Sequence, residues 1–477
     1  MSAPHETNQT KQDWAPGLEK VFQPVSWEGS AKLAGITGTI PSWLRGSYYL
    51  NGPARFVRDG MQYKHWLDGD GMVRALHFGD DGVQFVARFV ESIKLKDERE
   101  AGRFLYRGFG TSFPGDQLRH KLMLEPPINV AVYPATGKLL ALGEQALPYE
   151  LDPITLETKG EYDFNGSLNA VSPFAAHAKI DGHMVNFGVS FSATQPQLNV
   201  YEFDEGGNLL KRRRNPLQHQ FSIHDFGITP TRTIFFLSPL IMDFQRFWGK
   251  GVSVMESLDW RPELGSDLLI MPRAGSDAKS FQVRAGNKYA LHFINCFEEG
   301  NRLTVDMLEL DEPVYKEYEP LPDVFATATP ARPVRFVIDC EAQKLIGRTE
   351  MDYTLTPDFP SINPDLVGKN YNDFWMLGIS EAGKPGRKFF DELVHGSWSS
   401  GPGDKYRVPK GEYLGGEPAF AGNGSEGVII SQHYVPEKGI SEYLLFDAFN
   451  VSKGPIAQLP LPGFTHPGFH SCFHKWA

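Results

Sequence analysis

The feature that most constrains this chain is its rhythm: short apolar alternations cut at close intervals by turn residues. Asn129-Val-Ala-Val-Tyr133 runs into Pro134-Ala-Thr-Gly137 and then Lys138-Leu-Leu-Ala-Leu142, which reads as strand, turn, strand. The unit recurs at 183–190, 198–204, 233–237, 268–272, 289–297, 303–310, 334–339 and 427–433. Helical periodicity is confined to two short stretches, one in the 240s and one over 388–394. With 48 Gly and 35 Pro as breakers, the chain is predicted to be all-β. A β-propeller is the economical arrangement, because radial repetition of four-stranded blades leaves only short, protected edges. One such domain is expected over 16–477, behind a flexible segment at 1–15. No blade signature repeats, so blade number is not readable from the sequence.

Charge excludes some partners. A net charge of -11 argues against nucleic acid, whose binding draws on clustered Lys and Arg. The one basic run, Lys211-Arg-Arg-Arg214, follows the turn-like Asp204-Glu-Gly-Gly207 and reads as decoration on an exposed strand. Three widely separated cysteines, Cys296, Cys340 and Cys472, fit a reducing compartment. The first residues are polar and unlike a signal peptide, and no apolar run reaches the length of a membrane span. A cytoplasmic protein is expected, with no protein partner.

Three of the fourteen His interrupt runs that otherwise read as buried β: His177 in FAAHAKI, His224 in FSIHDFGIT and His292 in YALHFINCF. A fourth, His470, lies in PGFHSCFHKWA, where aromatics and a Cys imply that the segment is held inside the fold. A lone buried His is more often a core residue bonded to a carbonyl. Four from separate segments can instead converge on an axis and hold a metal suited to nitrogen ligands, such as iron, zinc or copper.

In order along the chain, these segments resemble those of the carotenoid cleavage oxygenases, non-haem iron enzymes on a seven-bladed β-propeller with a cap of loops and short helices over the metal. Gly38-Thr-Ile-Pro41, Leu44-Arg-Gly46 and Asn51-Gly-Pro53 are similar to the family's first strand, and His65-Trp-Leu-Asp-Gly-Asp-Gly-Met72 resembles its HxFDGDGM segment. The stretches around His177, His224 and His292 resemble those bearing its first three iron ligands, and Gly468-Phe-His470 the one bearing the fourth. Ser471 stands where the family usually has Gly, and His474 is assigned to the surface or to packing.

The resemblance implies one Fe(II) per chain, held by His177, His224, His292 and His470, with O2 as co-substrate. The reaction implied is cleavage of a conjugated C=C bond of a carotenoid or apocarotenoid into two carbonyl products. Alternatives on the same fold are cleavage of stilbenes or phenylpropenes and retinoid isomerohydrolysis. Carboxylates that fix the imidazoles from behind are implied at Glu144, Glu417 and Asp358, the last in place of the usual Glu. Asp is one methylene shorter and is expected to reach His292 only after a backbone shift or through a water, so this ligand is expected to be held more loosely. Gly143 stands where stilbene-cleaving relatives use a Lys to ionise a phenol, which ranks apolar polyenes above hydroxystilbenes. Val130 replaces a Thr beside the open metal position, and Phe293 is assigned to the same O2 and substrate side. An insoluble alkene needs delivery. Leu240, Ile241, Phe244, Phe247 and Trp248, in the most apolar stretch, are expected to form an interfacial patch that touches a membrane.

Overall fold

A computed structural model describes residues 13–475 apart from 26, 120–122, 191–194, 276–277, 354 and 424–425. Seven antiparallel sheets of four or five strands succeed one another along the chain as the blades of a propeller. Blades 2 to 6 are four-strand meanders, blade 4 being interrupted by the separate strand pair Leu240–Met242 and Leu258–Trp260; their innermost strands are Ala131–Ala135, Lys179–Ile180, Gly227–Ile228, Tyr289–Glu299 and Thr356–Ser361. Each such sheet is hydrophobic on both faces and must pack against its neighbours. Ile234, Phe236 and Leu268 of blade 4, for instance, share a core with Leu303, Val305 and Phe336 of blade 5. Towards the rim the pattern turns half-solvated, as in Phe281–Gly286, where only Val283 and Ala285 are buried. The basic run lies on such an outer strand, Leu209–Pro216.

Blades 1 and 7 close the ring with strands from distant parts of the sequence. Ser471–His474 pairs with Gly46–Pro53 in blade 1, with Leu50 opposite Ser471 and Ser47 opposite His474. In the other direction, Thr37–Gly38 extends blade 7 by pairing with Gln458 and Ala457. The approach of the later segment to blade 1 is close: a Cβ on Gly52 would lie 2.4 Å from the Cα of Gly468. Position 52 therefore admits only glycine unless the backbone of the later segment moves.

Some expectations need correction. Residues 13–15 of the segment read as flexible are anchored, since Trp14 N donates to Arg387 O at 2.9 Å and Ala15 is fully buried; residues 1–12 lie outside the described residues. The stretch 388–394 is not helical. Phe389 and Phe390 are both buried, and Glu392–Ser397 pairs with Asp373–Ile379. The 240s do carry a single helical turn, Gln245–Gly249. A helix that periodicity missed, Ile93–Ala101, starts at the Ser92 cap and ends at Gly102. It has little apolar face. Lys94 holds it instead, bonding Asp70 at 2.9 Å and Glu98 at 2.8 Å inside the protein.

Along the axis, the innermost strands line a cavity of about 750 Å³ with mixed polar and apolar walls. Tyr133, Lys179, Ile228, Asn295, Ser361 and Ala421 show six blades contributing to its wall. The three cysteines are free.

Candidate metal centre

Four imidazoles meet at one end of this axis. His177 and His224 do not lie within strands, contrary to the reading of their runs; each precedes the innermost strand of its blade. Irregular backbone there lets the ring turn inward. His292 lies inside Tyr289–Glu299 at a register shift between Ala290 and Phe293, and His470 immediately precedes Ser471–His474. The backbone around them is pinned. Asn186 Nδ2 donates to His177 O at 3.0 Å, and His470 N donates to Val130 O at 3.1 Å.

The ring nitrogens of His177, His224, His292 and His470 lie within 4.8 Å of one another. His177, His292 and His470 are fully buried and His224 nearly so. Three of the rings turn Nδ1 towards a carboxylate: His224 to Glu144 at 2.7 Å, His292 to Asp358 at 2.5 Å and His470 to Glu417 at 3.1 Å. With the proton held at Nδ1, Nε2 presents a lone pair. His177 Nε2 and His224 Nε2 face each other at 3.0 Å, and His292 Nε2 is buried with no hydrogen-bond partner. Converging lone pairs without a donor are unfavourable in a buried site, and a cation satisfies all of them. The donor set fits a metal that prefers nitrogen.

Burial pushes the His177 and His470 imidazoles well below their ordinary range, and the neighbouring rings add to it. His224 goes the other way. Burial opposes its charge, but the charge and hydrogen bond of Glu144 outweigh burial. For Asp358, burial works upward, yet His292 holds the carboxyl below its usual value. Burial takes Glu417 up to about 7.

Residues 22–475 match the retinal pigment epithelial membrane protein family, the family of the carotenoid cleavage oxygenases. The chain belongs to this family. Similar relatives include the apocarotenoid-15,15'-oxygenase of Synechocystis, 28% identical over 96% of each chain. The isoeugenol monooxygenase of Pseudomonas nitroreducens is 27% identical, over 96% of this chain and 98% of its own. Among solved structures, a chimera of the apocarotenoid oxygenase and the retinal pigment epithelial protein superposes with a TM-score of 0.89 at 25% identity, covering 98% of this chain and all of its own. As a carotenoid cleavage oxygenase the protein is an enzyme of the oxygenase class.

Against that family pattern, the expectation of a loose hold on His292 is overturned. The Asp358 contact is the shortest of the three to a carboxylate, because the strand bulges between Asp358 and Ser361 and brings the shorter side chain inward. Phe359 then adopts φ 53° and donates its N–H to Asp358 Oδ1 at 2.8 Å. Ser471 also does more than fill a glycine position, since its N–H donates to Glu417 Oε2 at 3.0 Å and its hydroxyl to Glu417 O at 2.7 Å. His474 pairs in the closing strand, away from the cluster. Val130 is buried in the core that holds Ala176, beside His177. Phe293 is placed differently from the expectation. Its ring belongs to the core between blades 4 and 5 and borders the axial cavity.

The apolar patch is also smaller than expected. Leu240 and Phe247 are core residues, the latter beneath the Arg107 guanidinium at 5.2 Å. Ile241 and Phe244 are half-buried and Trp248, stacked on Phe244, is exposed. Among the described residues no helix is long and apolar enough to cross a membrane. Two residues that sequence reasoning passed over border the cluster, Asp225 and Lys179. Each is adjacent or next but one to a predicted ligand, which was the available signal.

Proposed function

We propose that this protein is a non-haem dioxygenase that cleaves a conjugated C=C bond of a carotenoid or apocarotenoid into two carbonyl products. The observation that carries this reading is the convergence of His177, His224, His292 and His470 within 4.8 Å in a chain of this family. These four residues would hold Fe(II), and Glu144, Asp358 and Glu417 would keep the proton on Nδ1 of three of them. A ferrous ion bound there supplies the site at which O2 is reduced. The protein's own part is orientation and exclusion of water. Phe359 stands 5.9 Å from the His292 ring and 5.4 Å from the His470 ring, with Phe469, Trp66 and Phe390 behind it as an aromatic wall.

Position 143 supports a polyene over a hydroxystilbene. A Cβ on Gly143 would lie 3.0 Å from Ile128 Cα and 3.1 Å from Ile128 N. A Lys there has no ready space, so no ammonium is placed to stabilise a phenolate. Iron-loaded protein incubated with β-carotene, apocarotenals and hydroxystilbenes should consume O2 and yield aldehydes from the polyenes. Efficient turnover of resveratrol and none of an apocarotenal would reverse the assignment. With a retinyl ester added as a further substrate, isomerised alcohol and free fatty acid formed without O2 uptake would point to the isomerohydrolase reaction.

Substrate delivery from a lipid surface would rest on Ile241, Phe244 and Trp248. Double replacement of Phe244 and Trp248 by Ser is expected to reduce co-flotation with phosphatidylcholine liposomes several-fold, leaving the thermal midpoint little changed. Equal flotation of the two proteins would remove this surface from the account.

A further inference from the structure

Of the four rings, His177 alone has no carboxylate within hydrogen-bond distance. Its Nδ1 lies 3.8 Å from Asp225 Oδ1. Asp225 is only 4% exposed and is fully engaged. Its Oδ1 accepts the N–H of Phe226 and its Oδ2 that of Phe293, both at 2.8 Å. Lys179 Nζ, reaching across from the wall of the axial cavity, lies 2.9 Å from Oδ1. This one carboxylate therefore ties together the residue after His224, the residue after His292 and the residue two beyond His177, from three different blades.

We propose that Asp225 and Lys179 are a positioning pair that sets both the placement and the electrostatic potential of the metal centre. The proposal rests on the metal-binding reading above. Asp225 is buried beside the His177 ring and the partly exposed Lys179 sits directly behind it, so the two charges act on the centre through a dielectric below that of water and with opposite sign. Asp225 favours a divalent ion, and Lys179 opposes it while anchoring the carboxylate. Lys179 restrains the attraction that Asp225 would exert alone.

The opposed signs make the test decisive. Apo-protein is titrated with Co2+, following visible absorption, and release is timed against a chelator. Asp225→Asn should release Co2+ faster and bind it at least about tenfold more weakly. Lys179→Met should bind it more tightly and release it more slowly, while Lys179→Arg should match the parent. A purely structural role would weaken binding in both Asp225→Asn and Lys179→Met. Weakening in both, or no change in either, overturns the proposal. Should Asp225→Asn fail to fold, the Lys179→Met and Lys179→Arg comparison decides alone: slower release only on loss of the charge supports the pair, and any other order overturns it. If the parent protein binds no Co2+, the metal-binding reading itself fails, which is a separate result.

Discussion

Replacing His292 by Ala is expected to abolish both metal retention and turnover. In metal-site proteins, removing only the group that orients a ligand costs about 10–100-fold in affinity or activity. Removing a ligand costs more. His292 is the sharpest choice because its Nε2 is buried without a hydrogen-bond partner, while its Nδ1 is held by Asp358 at 2.5 Å. Iron measured by plasma emission after dialysis should fall from near one per chain to below about a tenth, given that scale of ligand effects. The fold should persist, since the variant removes a converging lone pair. Asp358→Glu provides an instructive control. It restores the residue usual in the family, but the bulge between Asp358 and Ser361 has already taken up the missing methylene. The longer side chain would push into His292, and metal affinity should fall. Full iron content in His292→Ala would remove that ring from the set of ligands.

The second large effect concerns ring closure. Gly52→Ala places a methyl 2.4 Å from the Gly468 Cα, against backbone that cannot swing away. Overpacking in a tight interior costs about 1–3 kcal/mol, and a backbone obstacle falls at the upper end. Gly468→Ala meets instead the side-chain atoms of Leu50, the nearest at 2.5 Å, which have rotamers to explore. The order of thermal midpoints should therefore be parent, then Gly468→Ala, then Gly52→Ala. The shift should also reach the metal centre, because Phe469 N and His470 O both bond to Asn51 next to Gly52. Midpoints from scanning calorimetry, compared with iron content, test both statements. A Gly52→Ala protein as stable as the parent would mean that this approach is looser than described.

Much of this architecture was legible. Segments such as 198–204 and 303–310 were located because short apolar runs bounded by turn residues stand out even where, as in Gln197–Phe203 and Arg302–Leu310, nearly every residue is buried. The four His stood out because an imidazole in an apolar run is chemically conspicuous. What failed was information carried by non-local packing. Helix Ile93–Ala101 is stabilised by a buried ammonium between two carboxylates, which hydrophobic periodicity does not register. Leu240 and Phe247 read as surface because their covers, strand Leu258–Trp260 over Leu240 and Arg107 over Phe247, lie outside the segment and arrive only as the chain folds back. The reach of Asp358 depended on a bulge, and a bulge is set by its partner strand.

Because Gly46–Pro53 of blade 1 gains its inner neighbour only with Ser471–His474, the chain must be synthesised through six further blades before its first can finish. The same late segment delivers the fourth imidazole. A nascent or prematurely stopped polypeptide thus carries three of the rings on an open ring of sheets, and acquires a full set only on becoming topologically whole. Whatever these rings hold, its fourth nitrogen arrives only when the last strand has docked on blade 1.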